Sequence, residues 1–281
     1  GRKIKVVENL PYILHQNYSK ENLCVDIRED AILYFKQYNI SWWRQKEDNY
    51  SPTGHLVSSQ IHCLNHLFAF RDDPIAIKII LQKATNLPID KILQSPIDKG
   101  GYIAFEFVYK NKSLLKDNSG KYHEEYETRG ANCTSIDALV YLQLVNGNKI
   151  LIPIEWKYTE TYNGKEACDK SWQRYPDLIR LENSNLKDVY DLYKADPYYE
   201  LMRQTLLMAQ IIQHKDCGIE ADDYFHIMVI PNEHTELKSA IVNNYIPTLK
   251  DITKFRIIDP QALLSPIPAD GEYKDLISYL Q

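Results

Sequence analysis

Apolar positions in this chain recur with two periods, one helical and one extended. Residues 19–44 carry them at helical spacing and end in the aromatic stretch Ile40-Ser-Trp42-Trp43-Arg44. A loop with Ser51-Pro-Thr-Gly54 follows, and Ser58-Ser59-Gln60 opens a second helix with Ile61, Leu64 and Phe68 on one face. Asp73-Pro74 reads as an N-cap with proline at the first helical position, which predicts a helix through Ile77, Ile80 and Leu81. The pattern then shortens. Gly101–Tyr109 is a strand by its aromatic and branched content, with Glu106 in its middle. Ser135–Leu144 and Ile150–Tyr158 are two further apolar strands, and the turn Asn146-Gly147-Asn148 between them is a hairpin signal.

After the hairpin comes a long mixed segment, residues 159–197, of a length that is usually functional or carries its own helices. Asp196-Pro197 opens a clear amphipathic helix with Tyr198, Leu201, Met202, Thr205, Met208, Ala209 and Ile212 along one stripe. Tyr224–Pro231 reads as a last strand, and residues 232–281 as a helical annex. From Ser58 to Ile230 the order is therefore helix, three strands, helix, strand, with an extra helix after the first. Three consecutive strands can form an antiparallel meander, and the helix from Tyr198 then returns the chain to the same sheet. The expected organisation is a single domain: an extension over 1–56, a core over 57–231 with the 159–197 insertion, and the annex.

Composition narrows the function classes only slightly. The 281 residues are 44% hydrophobic and 25% charged, which is ordinary for a globular chain with room for a full core. A net charge of −5 is no global basic footprint, although a local basic groove remains compatible with it. Twenty-one Tyr and four Trp serve as core or as stacking surfaces for bases. The five cysteines are scattered, odd in number and without a CxxC pair, which points to free thiols in a reducing cytoplasm. No run is long enough to span a bilayer, so no membrane association is expected.

The chemistry concentrates in the hairpin. Glu155 and Lys157 are two residues apart on a strand and so point the same way. Charges in an apolar strand are costly unless paired or bound to metal. The turn brings Asp137, near the start of the preceding strand, toward them. Two carboxylates on adjacent strands can anchor Mg²⁺, which prefers hard oxygen ligands and keeps several waters. A nearby lysine can orient the nucleophile or stabilise developing charge, and a cation beside it would lower its pKa.

Asp137 followed by Glu155-Trp-Lys157 on the next strand resembles the PD-(D/E)xK nuclease superfamily, the restriction-endonuclease-like fold. The stretches Ser58-Ser59-Gln60, Thr134-Ser-Ile-Asp137-Ala and Ile154-Glu-Trp-Lys157-Tyr158 carry the likeness, and within the superfamily the chain is similar to bacterial restriction endonuclease-like proteins. The resemblance covers roughly 57–231. It implies an α/β fold with an αβββαβ core, a mixed central sheet flanked by helices, with helical additions at both ends. It implies Mg²⁺-dependent hydrolysis of DNA phosphodiesters, with Mn²⁺ able to substitute, by Asp137, Glu155 and Lys157. Double-strand cleavage would suit a homodimer with one site per strand. Ile136 departs from the motif, which has proline before the aspartate. Glu-x-Lys alone is weak, since Glu236-Leu-Lys238 and Glu272-Tyr-Lys274 repeat it outside such a strand.

Other residues stay open between two roles. Glu106 is a third metal ligand or a residue on the solvated face of an edge strand. Gln60 touches metal-bound water or phosphate, or it bonds backbone at a helix start. Arg203 and Gln204 reach a phosphate or solvent. Arg174 and Tyr175, with Lys165, Lys170 and Trp172, form a basic-aromatic patch for DNA or a helical lid. Two readings from other classes compete with the nuclease. One is a catalytically inactive module of the same fold that binds nucleic acid or assembles. The other is a zinc hydrolase on His62 and His66, which share a helix face at i and i+4 and would need a third ligand such as His55.

Overall fold

The computed structural model describes residues 5–43, 51–109, 112–115, 134–162, 170–215 and 218–280. Arg44, Lys165, most of the loop at 110–130 and Cys133, Cys168 and Cys217 lie outside them, as does the side chain of Lys170. In chain order the regular elements begin with a hairpin, β1 (Val6–Val7) and β2 (Leu10–Leu14). A 3-10 segment over Gln16–Asn22 and helix α1 (Arg28–Gln37) follow. Then come α2 (Ser59–Leu67), α3 (Pro74–Thr85), β3 (Ile89–Leu93) and β4 (Ile103–Phe107). The central hairpin is β5 (Ile136–Leu144) and β6 (Lys149–Trp156). Helices α4 (Tyr175–Arg180) and α5 (Tyr198–His214) lead to β7 (Asp223–Tyr224) and β8 (His226–Val229). The chain ends with α6 (Thr235–Ala240), β9 (Phe255–Ile258), α7 (Pro260–Leu264) and α8 (Lys274–Leu280).

Seven strands of the described residues form one mixed sheet in the order β3-β5-β6-β8-β9, with β4 also on β5 and β7 also on β6. β5 is antiparallel to β3, β4 and β6, whereas β8 runs parallel to both β6 and β9. β3 and β4 follow one another along the same edge of β5, facing residues 141–144 and 136–140 respectively. The hairpin closes as its residues demand. Gly147 takes a left-handed φ of 90°, and the Asn146 side chain accepts the Asn148 N–H at 3.0 Å.

Helices cover both faces of the sheet. On one side Val140, Ile152, Ile154 and Trp156 pack with α1, α2, α3, α7 and α8. On the other, Leu139, Tyr141 and Leu151 pack with α4, α5 and α6. The alternation of β5 and β6 between these two cores is why their sequence is apolar throughout. α5 is held by Leu201, Met202, Leu206, Met208 and Ile211, all fully buried, and each such side chain contributes about 2 kcal/mol of burial.

The additions at both ends are less helical than expected. The N-terminal stretch opens with the β1–β2 hairpin, and the long helix is interrupted at Leu23–Ile27, leaving α1 alone as α-helix. In the C-terminal stretch, β9 joins the sheet as a parallel partner of β8. β3 and β9 are edge strands with half-exposed positions, so they carry little of the apolar run that marks β5 and β6. Among the described residues no helix is long and apolar enough to cross a membrane.

Candidate active site

The β5–β6 ladder ends at Ala138 opposite Ile154, one residue short of Asp137 and Glu155. Beyond it β6 keeps only its other neighbour: Glu155 lies opposite Met228, Trp156 opposite Val229, and Lys157 N–H donates to the Val229 carbonyl at 2.9 Å. The strands are thus no longer paired where the acidic residues sit. The freed Trp156 N–H donates instead to Asp137 Oδ2 at 2.7 Å, which ties the carboxylate of one strand to the backbone of the next.

Glu155 is 2% exposed and Lys157 6%. Lys157 Nζ lies 2.5 Å from Glu155 Oε1 and 2.5 Å from Glu200 Oε2. Gln204 Nε2 donates to Glu155 Oε2 at 2.5 Å and to the Ser135 carbonyl at 3.1 Å. Gln204 is therefore a buried partner of Glu155 rather than an outward-facing phosphate contact. Glu200 was invisible to sequence reasoning. It stands in the first turn of α5, far along the chain from Lys157, and reads there as a solvated charge.

Glu106 is not on the solvated face of an edge strand. It is buried, with Oε1 accepting from Gln60 Nε2 at 2.8 Å and Oε2 accepting from Ser135 Oγ at 3.0 Å. Its φ is +48°, a left-handed conformation inside a strand that costs on the order of 1 kcal/mol or more in a non-glycine residue. The twist has a consequence: Phe105 packs in one core and Phe107 in the other, although regular alternation would put both on one face. Gln60 also donates to the Ser41 carbonyl at 3.1 Å and accepts the Trp43 N–H at 2.9 Å. It thus bonds backbone and couples α2 to Glu106.

The electrostatics describe a site short of positive charge. Burial, then the Glu155 and Glu106 carboxylates, hold the Asp137 carboxyl well above the usual range, against Lys157 and the Trp156 N–H. Burial and Glu200 push Glu155 up to about 8, although Lys157 and Gln204 oppose the shift. For Lys157, burial alone would lower the pKa, but Glu155 and Glu200 outweigh it and keep the ammonium protonated. The lowered pKa expected for this lysine belongs to a site that holds a cation. The buried Cys63 thiol, under the cluster on α2, is also raised by burial and by Asp137, Glu106 and Glu155, so it is no thiolate nucleophile.

The remaining candidates lie apart or serve another purpose. His62 Nδ1 accepts from the Trp156 indole N–H at 2.7 Å, and its ring stacks on Tyr158 at 4.0 Å. His66 Nδ1 donates to the His62 carbonyl at 2.7 Å. Burial lowers His62 to about 3 and His66 to about 4, so both are neutral. His55 packs between the rings of Tyr12 and Trp43 rather than joining them. Among the described residues no three His, Cys, Asp or Glu side chains are arranged to hold a metal ion, and the zinc set is not assembled. Arg203 is half-buried with its guanidinium 5.4 Å from the Tyr199 ring, and Arg174 lies 5.3 Å from the Tyr175 ring. Both are engaged by aromatics on the α4–α5 side.

A family model described as restriction endonuclease associating with ARP matches residues 1–281. No curated protein and no solved structure matches the chain.

Proposed function

The chain belongs to the family described as restriction endonuclease associating with ARP, and from that membership we propose that it hydrolyses DNA phosphodiesters with a divalent cation held by Asp137 and Glu155. One observation carries the proposal. Asp137 is raised by burial and by the Glu155 and Glu106 carboxylates, and Glu155 by burial and by Glu200, so both acids sit in a buried site crowded with negative charge. A cation relieves that repulsion. Two carboxylates suffice for Mg²⁺, which retains waters and takes phosphate oxygens as further ligands, and Mn²⁺ fits the same oxygens. When bound, the cation supplies activation of water and neutralisation of charge on the phosphoryl group.

The protein's own residues do the rest. Gln204 holds one oxygen of Glu155, and the Trp156 N–H holds one of Asp137, so both acids are presented in fixed orientation. Lys157, protonated, has three N–H groups; two meet Glu155 and Glu200, and the third is available to orient a water or a phosphoryl oxygen. Its part is therefore positioning and charge stabilisation rather than proton abstraction. Glu106 becomes a ligand only by giving up Gln60 or Ser135, so it serves first as the charge behind Asp137.

The double pairing of Lys157 also suits a second reading, a nucleic-acid-binding module without catalysis. Against it, Glu200 is 41% exposed, which gives the pair a face on solvent from which substrate can approach. Arg174 and Arg203 remain proposed phosphate contacts on that side, and the family description adds ARP as a proposed partner.

Calorimetric titration with Mn²⁺ in buffers of different ionisation enthalpy tests the proposal. Binding is expected with release of protons, because the acids must ionise to ligate, and Glu155→Ala should abolish it. Mn²⁺ binding that survives Glu155→Ala unchanged would contradict the site.

A further inference from the structure

Helix α5 grips β6 at two points. Gln204 meets Glu155, and Glu200, four residues earlier, meets Lys157, two residues later. The distances match: four residues rise about 6 Å along a helix, and two residues advance about 6.6 Å along a strand. Helix and strand therefore run in opposite senses with both pairs in register. The two acids that share Lys157 differ in setting. Glu155 is buried, whereas the Glu200 side chain is 41% exposed. The ammonium is thus stretched between the interior of the acid cluster and its mouth.

We propose that Glu200 is a positioning residue that retains the Lys157 ammonium at the mouth of the site when Glu155 is drawn to a divalent cation. The inference rests on the nuclease reading above and deepens it. Cation and ammonium compete for Glu155, and they repel each other across a distance of a few ångströms. A second carboxylate gives the ammonium somewhere to stay. Without it, Lys157 falls back on Glu155 and holds that carboxylate against the metal, which removes a part the reaction needs.

The test compares wild type, Glu200→Gln and Glu200→Asp, with folding checked by thermal midpoint. Steady-state plasmid cleavage and Mn²⁺ affinity by calorimetry are the readouts. Glu200→Gln is expected to lower kcat by about 10- to 100-fold, the usual effect of removing a residue that orients a site ligand. KM for DNA should stay unchanged or fall, because a negative charge facing the phosphates is removed. Mn²⁺ binding should weaken several-fold, and Glu200→Asp should restore part of both losses. A wild-type kcat and Mn²⁺ affinity in Glu200→Gln overturns the proposal. Should that variant not fold, Glu200→Ala is read in the same way. A wild type without nuclease activity overturns the nuclease reading instead, and the Mn²⁺ arm then decides the role of Glu200 alone.

Discussion

Asp137 and Trp156 are joined across the open end of the central hairpin: the carboxylate Oδ2 accepts the Trp156 N–H at 2.7 Å, just past the last ladder pair. One side chain thereby satisfies a backbone donor that the parted strands would leave bare, and it fixes the stretch that carries Glu155 and Lys157. The two duties of Asp137 can be separated by substitution.

Asp137→Asn keeps a carbonyl oxygen for the Trp156 N–H but removes a carboxyl that burial and its neighbours disfavour. Its metal-free thermal midpoint should rise above wild type, while the gain from Mn²⁺ disappears. Asp137→Ala orphans the N–H and should cost about 1–3 kcal/mol. Urea unfolding of both variants, with and without Mn²⁺, checks the pair; an Asn variant that still gains stability from Mn²⁺ removes Asp137 from the ligand set.

Metal-free stability should fall as pH rises from 6.5 to about 8. Glu155 has its folded pKa raised from 4.5 to about 8, so the native state holds its proton longer than the unfolded chain. Stability from that proton is fully present below pH 4.5 and is lost as pH rises from 4.5 to about 8; above pH 6.5 no lowered histidine opposes the loss. Saturating Mn²⁺ should flatten or reverse the slope. Denaturant midpoints across this range decide it, and a flat metal-free profile would show that the cluster carries no such strain.

Above pH 8, where Glu155 is ionised, Lys157→Ala leaves it buried without its counter-ion and should destabilise the metal-free protein by on the order of 3 kcal/mol. Because the competing ammonium is gone, Mn²⁺ should bind more tightly than in wild type while cleavage is lost. Weaker Mn²⁺ binding in this variant would mean that the lysine assists the metal rather than competing with it.

His226 gives a second, opposite pH limb. It is 1% exposed on β8, and neither ring nitrogen meets a hydrogen-bond partner among the described residues. Burial lowers its pKa from 6.5 to about 3. The unfolded chain therefore takes up the proton first, and stability is lost as pH falls from 6.5 toward 3, by about 2 kcal/mol at pH 5. His226→Leu should be more stable than wild type at pH 7 and should lose less on acidification. Equal losses in the two proteins between pH 7 and pH 5 would contradict this assignment.

What could be read beforehand was local. The Asn146-Gly147-Asn148 turn, the shared face of Glu155 and Lys157 and the buried stripe of α5 all follow from spacing within one or two elements. Family membership agrees with the motif on that hairpin. Glu200, by contrast, meets Lys157 only because α5 packs antiparallel to β6, a relation that no short-range pattern encodes. The left-handed backbone of Glu106 was equally hidden, since its apolar neighbours Phe105 and Phe107 look like regular alternation and in fact face different cores. His62 and His66 showed metal-like spacing, but the indole of Trp156 takes the Nδ1 of His62, a long-range contact that makes the pair structural.

The most direct test of the whole account is single-turnover cleavage of supercoiled plasmid by wild type, Asp137→Asn and Glu155→Ala, each with Mg²⁺, Mn²⁺ or EDTA. Wild type should give nicked or linear product with either metal and none with EDTA, and the two variants should give none under any condition. Cleavage by Glu155→Ala at the wild-type rate, or no cleavage by folded wild type with either metal, would contradict it.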